Sequence, residues 1–166
     1  MDYNIREMKA EDWEAVAKIY SEGIDTGKAT FQSELPNFEE WDKGHMKNCR
    51  IVACDGENIL GWAALSPTSS RCVYKGVAEV SIYIGEAYRG KGVGKNILNT
   101  LVKLSEENGL WTLQSGIIKE NTSSIALHRR CGFRDIGIRE KIAKMPNGTW
   151  HDTVLMERRS TFIGIS

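Results

Sequence analysis

No apolar run in the 166-residue chain approaches the roughly 20 residues needed to cross a bilayer. The opening residues Met1-Asp2-Tyr3-Asn4 have neither the basic nor the apolar region of a secretory leader. Excess charge of either sign is also missing: 22 basic residues balance 22 acidic ones, which argues against a nucleic-acid-binding module. The four cysteines, Cys49, Cys54, Cys72 and Cys131, form no Cys-x-x-Cys pair and have no histidine at zinc-site spacing. No metal centre is expected, and they read as free, mostly buried residues of a reducing compartment. Repeats and low-complexity segments are absent. With 41% hydrophobic and 27% charged residues, the expectation is a single cytoplasmic domain over residues 1–166 without membrane, nucleic-acid or metal partners.

The most informative stretch runs from Glu79 to Asn108. Val80, Ile82 and Ile84 alternate with Glu79, Ser81 and Tyr83, the period-2 pattern of a strand. Val93, Ile97, Leu98, Leu101, Val102 and Leu104 follow at helical spacing. Between them lies Arg89-Gly90-Lys91-Gly92-Val93-Gly94-Lys95. Its glycines let successive backbone N–H groups turn toward one point, and the next helix adds unpaired first-turn amides at the positive end of its dipole. With Arg89, Lys91 and Lys95, this is a site for an anion such as a diphosphate. A P-loop would need a hydroxyl residue where Asn96 stands. A dinucleotide fingerprint beginning at Gly92 would need a small residue where Ile97 stands.

The rest of the chain supplies strands and helices around this unit. A strand over Asn4 to Met8 leads into a helix with the stripe Trp13, Val16, Ala17, Tyr20 and Ile24, and a loop over Asp25 to Pro36 contains Phe31. Asn37 caps a second helix carrying Phe38, Trp41 and Met46. Strands over Arg50 to Cys54 and Ile59 to Ser66 flank a tight turn. After Gly109 a strand from Leu110 to Ile117 is expected beside the central strand as a parallel partner. Ser123 or Thr122 caps a helix that Gly132 ends, and Ile136 to Lys144 with Thr149 to Glu157 form a long hairpin.

The loop fits the pattern Arg/Gln-x-x-Gly-x-Gly/Ala and resembles the acetyl-coenzyme A loop of the GCN5-related N-acetyltransferases (GNAT). The element order resembles that fold over nearly the whole chain: an α/β domain with a mixed, mostly antiparallel central sheet flanked by helices. Ala78 to Ile84, the Leu127-His128 pair before Gly132-Phe133, and Gly148-Thr149-Trp150-His151-Asp152 look like the phosphinothricin and methionine sulfoximine N-acetyltransferase group. The resemblance implies that backbone groups of Ile82, Tyr83 and Ile84 pair with the pantetheine arm of acetyl-CoA. Arg89, Gly90, Lys91, Gly92, Val93 and Gly94 would hold its diphosphate, and Asn121 would hydrogen-bond the pantetheine. A homodimer is implied by the same likeness.

Acetyl transfer to an amine needs a free lone pair, a stabilised oxyanion and a tolerable leaving thiolate. Glu79 is the candidate proton acceptor, since desolvation beside a cleft raises a carboxylate's pKa. A backbone N–H near Tyr83 or Ile84 is the candidate oxyanion donor. His128 is the candidate for protonating the sulfur or orienting substrate. Phe31, Arg71, Tyr74, Lys75 and Tyr83 are the substrate-side candidates, the cations suiting a carboxylate, and Trp150 is a candidate pocket wall. The expected activity is acetylation of the α-amine of a small amino acid or toxic analogue by direct attack in a ternary complex. The rivals are a peptide or protein N-terminal acetyltransferase, a polyamine or aminoglycoside acetyltransferase, and a non-catalytic acyl-CoA sensor. The first would want an open groove, the second an acidic pocket, and Glu79 with Asn121 speaks against the third.

Overall fold

Seven strands, β1 (Asn4–Glu7), β2 (Ile51–Asp55), β3 (Asn58–Pro67), β4 (Val77–Ile84), β5 (Thr112–Ile118), β6 (Arg134–Lys144) and β7 (Trp150–Arg159), make one sheet. Their order is β1-β2-β3-β4-β5-β7-β6. The computed structural model describes residues 2–166. Every neighbouring pair is antiparallel except β4 and β5, the parallel pair expected from the strand-helix-strand order. The helices are α1 (Trp13–Asp25), α2 (Phe38–Gly44), α3 (Val93–Glu107) and α4 (Thr122–Arg130).

Strand alternation sorts the apolar side chains into two cores on opposite faces of the sheet. Ala63 and Leu65 join Ile97, Leu98 and Leu101 of α3 in the larger one. Trp62 and Ala64 join Val16, Ile19 and Tyr20 of α1 and Trp41 of α2 in the smaller, aromatic one. Each of the buried α3 side chains Ile97, Leu98 and Leu101 removes roughly 1.5–3 kcal/mol of apolar surface from water, so the helix that follows the glycine loop is firmly seated. Helix α2 begins as expected. Asn37 Oδ1 accepts the Glu40 N–H at 2.8 Å, and the Glu40 carboxylate in turn accepts the Asn37 N–H at 3.5 Å.

Two local expectations are corrected. The cap of α4 is Asn121, whose Oδ1 accepts from the Ser124 N–H at 3.4 Å, instead of Ser123 or Thr122. Trp150 is 53% exposed and carries the Lys144 ammonium over its ring, and it lines neither cavity of the candidate active site. Cys49, Cys54 and Cys131 are buried and free, while Cys72 is free and exposed. Among the described residues no helix is long and apolar enough to cross a membrane, and no cluster of three potential metal ligands occurs.

Candidate active site

The site forms where the sheet splits. Strand β4 pairs with β3 along all but its first residue, from Pro67↔Ala78 to Gly61↔Ile84. It pairs with β5 only from Val77↔Thr112 to Glu79↔Gln114, while β5 continues along β7 to Ile118. Beyond Glu79 the two parallel strands diverge, and the backbone edge of residues 80–84 that faces β5 is left without a strand. Two cavities, each of about 460 Å³, meet at this gap and share Ala29, Ile82, Tyr83, Asn121 and Ser124 as common wall.

The first cavity is lined by Ile82, Tyr83, Ile84, Arg89, Gly90, Gly92, Val93, Gly94 and Asn121. These are all the residues expected to hold the cofactor apart from Lys91, which does not line the cavity. Gly92 caps α3 at φ 81°, a left-handed conformation that costs a residue with a Cβ. Gly94 answers a different need. A Cβ there would sit 3.2 Å from Leu127 Cδ2, so its smallness permits close approach of α3 to α4. The first intrahelical bond of α3 is Asn96 N–H to Gly92 O, which leaves the amides of residues 93–95 free of helical partners at the positive end of the dipole. Lys28, Arg89, Lys95 and Arg130 line the same cavity, and no acidic residue does. Neither Lys28 nor Arg130 was singled out from the sequence. Lys28 lies in a loop without periodicity, and Arg130 is one of three basic residues that end α4.

The second cavity takes Thr30 and Phe31 from the loop after α1, Glu79 and Ser81 from β4, Ser115 to Ile118 from β5, and His128 from α4. Ser115 and Gly116 point to opposite faces of β5, so this cavity passes through the split sheet. Glu79 approaches it from the α1 face and is exposed toward it. Surrounding protein still withholds enough solvent to raise its pKa above the ordinary carboxylate value, opposed by the Gly116 N–H and by the charge of Arg139. Arg139 pairs with Thr153, which pairs with Ile118, so it stands on the Glu79 face. Tyr83 is held between Trp62, with rings stacked 5.0 Å apart, and Tyr20 at 4.9 Å. Burial pushes its phenol well above its ordinary pKa, so it stays protonated.

His128 is 1% exposed. Its Nδ1 lies 2.7 Å from the Ser124 carbonyl, which can only accept, so Nδ1 carries the proton and donates. Nε2 is then a buried lone pair without a partner among the described residues. Burial lowers the imidazole pKa, opposed by the Ser124 carbonyl. A neutral ring with a free Nε2 is a proton acceptor in its resting state. It can give a proton to a departing sulfur only after it has first taken one up.

Arg71, Tyr74 and Lys75 line neither cavity. They lie on and beside the exposed single turn Cys72–Tyr74, where the Arg71 guanidinium packs over the Tyr74 ring at 5.8 Å. Phe31 and Tyr83 are the substrate-side candidates that the fold brings to the cavity.

An unpaired strand edge, free first-turn amides and four cations without an acid fit an extended, phosphate-bearing thioester such as acetyl-CoA. Comparison with known proteins agrees. Residues 7–133 match the acetyltransferase (GNAT) family. The phosphinothricin N-acetyltransferase of Alcaligenes faecalis is 31% identical over 93% of this chain and 81% of its own. The L-methionine sulfoximine/L-methionine sulfone acetyltransferase of Pseudomonas aeruginosa is 27% identical over 95% and 94%. A phosphinothricin acetyltransferase from Sinorhizobium meliloti, solved in complex with AcCoA, superposes with a TM-score of 0.88 at 30% identity, covering 100% of this chain and 92% of its own. Fold, cavity chemistry and sequence converge, and the chain belongs to the acetyltransferase (GNAT) family, whose members are N-acetyltransferases that use acetyl-CoA.

Proposed function

We propose that the protein acetylates the α-amine of a small amino acid or a toxic analogue of one, such as phosphinothricin or methionine sulfoximine, by direct attack in a ternary complex. The observation that carries this reading is the meeting of two cavities of opposite character across one wall. The basic cavity would bind acetyl-CoA through Arg89, the loop amides, Lys95, Arg130 and the Asn121 side chain. Acetyl-CoA supplies an acyl thioester whose thiolate is a good leaving group, a thiol pKa being about 8.5.

The second cavity offers two proton acceptors. Glu79 takes the proton of the incoming ammonium, its raised pKa placing it nearer neutrality. As the freed amine attacks the thioester carbonyl, its nitrogen becomes positively charged, and His128 Nε2 can take that second proton and pass it to the departing sulfur. Phe31 and Tyr83 exclude water from the wall between them. Arg139 is the cation on the Glu79 face that suits a substrate carboxylate. The domain spans residues 1–166 and works in the cytoplasm, in keeping with four free cysteines.

The same reading makes the protein a homodimer. Strand β6 is the outer edge of the sheet, and Ile136, Ile138 and Ile142 are 43%, 54% and 52% exposed along it, an apolar edge that a second copy would cover. Sedimentation of the purified protein tests this, and a monomer at micromolar concentration refutes it.

Coenzyme A release measured across phosphinothricin, methionine sulfoximine, free amino acids, polyamines and peptide N-termini tests the activity. The expected result is the highest kcat/KM for an amino acid or its analogue. A preference for peptides or polyamines overturns the substrate class.

A further inference from the structure

The run Gly148-Thr149-Trp150-His151-Asp152 stands out in the sequence without a function, and the structure gives it one. His151 lies on β7 two residues before Thr153, so its side chain is on the sheet face that carries Glu79. It is 14% exposed and touches two parts of the site at once. Its ring lies 6.3 Å from that of Phe31 at an interplanar angle of 54°, within the range of a favourable tilted aromatic pair. Its Nδ1–H donates to Glu120 Oε2 at 3.3 Å. Phe31 lines the second cavity, and Glu120 immediately precedes Asn121, which lines both.

Asp152 fastens the same hairpin to the same turn. Its carbonyl accepts the Lys119 N–H at 3.0 Å. Its Oδ1 accepts the Lys141 N–H at 2.8 Å, where β6 bulges and Lys141 takes φ 44°. The end of the hairpin is thereby locked onto residues 119–120, and His151 projects from it to meet the loop after α1. That loop has no regular structure of its own between Asp25 and Phe38, so its placement over the cavity depends on contacts of this kind.

We infer that His151 is a positioning residue of the amine site, holding Phe31 against the cavity and fixing it relative to the turn that presents Asn121. The inference rests on the reading of the second cavity as the amine site. His151 reaches substrate only through Phe31, so its loss acts on amine binding and leaves the cofactor cavity and the Glu79 proton transfer intact.

The test uses His151→Ala, His151→Phe, Phe31→Ala and the double variant Phe31→Ala/His151→Ala, each checked for a wild-type melting profile and acetyl-CoA affinity. His151→Ala raises the amine KM on the order of 5- to 10-fold, the scale of one aromatic contact and one hydrogen bond, with kcat and acetyl-CoA Kd within about twofold. His151→Phe, which keeps the ring, recovers most of the loss, and the double variant is no worse than Phe31→Ala alone. An unchanged KM in His151→Ala, or a double variant whose effect is the product of the singles, overturns the inference. Amide hydrogen exchange over residues 28–34 provides a readout independent of turnover. Exchange there rises in His151→Ala and returns in His151→Phe; equal protection in all variants refutes the positioning role. If the wild-type enzyme acetylates none of the amines, the substrate reading fails, and the exchange arm alone decides the role of His151.

Discussion

Replacing Gly92 with alanine separates backbone strain from steric bulk in the anion loop. Gly92 sits at φ 81° and ψ 1°, and a Cβ built there meets nothing within 4 Å. The methyl group therefore causes no clash, and the penalty is that of holding an L-residue in the left-handed region, about 1–2 kcal/mol. If the loop keeps its shape, that strain appears as lost stability. For a chain of this length each kcal/mol lowers Tm by roughly 2–4 °C, and the stiffer unfolded chain returns about 0.4–1 kcal/mol of the loss. If the loop relaxes toward negative φ, the amides of residues 93–95 swing away from their common focus and the strain appears in binding. The loss of acetyl-CoA affinity then reaches about 5- to 30-fold, the same 1–2 kcal/mol expressed as a Kd ratio. Gly94→Ala is the comparison without backbone strain, because its Cβ meets only side-chain atoms, Ile84 Cγ1 at 3.5 Å and Leu127 Cδ2 at 3.2 Å, the latter needing to give by a few tenths of an ångström, and it should change Kd by less than about threefold. Titration calorimetry with acetyl-CoA and melting curves of the free protein measure both arms. Gly92→Ala with unchanged Kd and unchanged Tm would refute the reasoning, as would a Gly94→Ala variant that binds more weakly than Gly92→Ala.

Glu79→Gln keeps the shape of the side chain and removes the proton acceptor, so kcat at neutral pH should fall on the order of 100- to 10,000-fold while acetyl-CoA Kd holds. The residual rate should climb with pH as free amine becomes available, and a near-normal kcat would shift the base role to His128. Acid should weaken the fold near the histidine range. Burial lowers the pKa of both His128 and His45, so the native state resists protons that the unfolded chain accepts below about pH 6.5, and stability is lost as pH drops through that value. Asp12, whose carboxyl is lowered by the Arg6 guanidinium, loses its contribution only in the more acidic carboxylate range. Melting curves between pH 8 and 5 for wild type and His128→Gln should show a shallower acid decline in the variant; parallel curves would contradict the burial argument. Arg130→Ala should weaken acetyl-CoA binding about 2- to 5-fold at low salt, with the difference fading at high salt as screening shortens. A salt-independent loss would mean that Arg130 acts by packing.

What could be read from the sequence belongs to single elements. The alternation from Glu79 to Ile84, the stripe of α3, the Asn37 cap and the glycine loop each follow from periodicity or from backbone chemistry at one place in the chain. The family likeness follows from them, and so do most of the residues that line the basic cavity, because a glycine loop of this kind is made almost wholly of consecutive residues. The divergence of β4 from β5 after Glu79 left no mark in either strand, since it concerns the distance between them. The tautomer of His128 was equally invisible until the Ser124 carbonyl was seen beside Nδ1. Arg71, Tyr74 and Lys75 looked suited to a substrate because charge and aromaticity were judged without position, and packing set them outside both cavities. Lys28 and Arg130 entered the basic cavity from a loop and a helix end far apart in the chain. The sequence by itself thus determined the elements and the anion loop, whose chemistry is local. The tertiary structure decided which distant side chains share a cavity, because that depends on how separate elements pack and on where paired strands part.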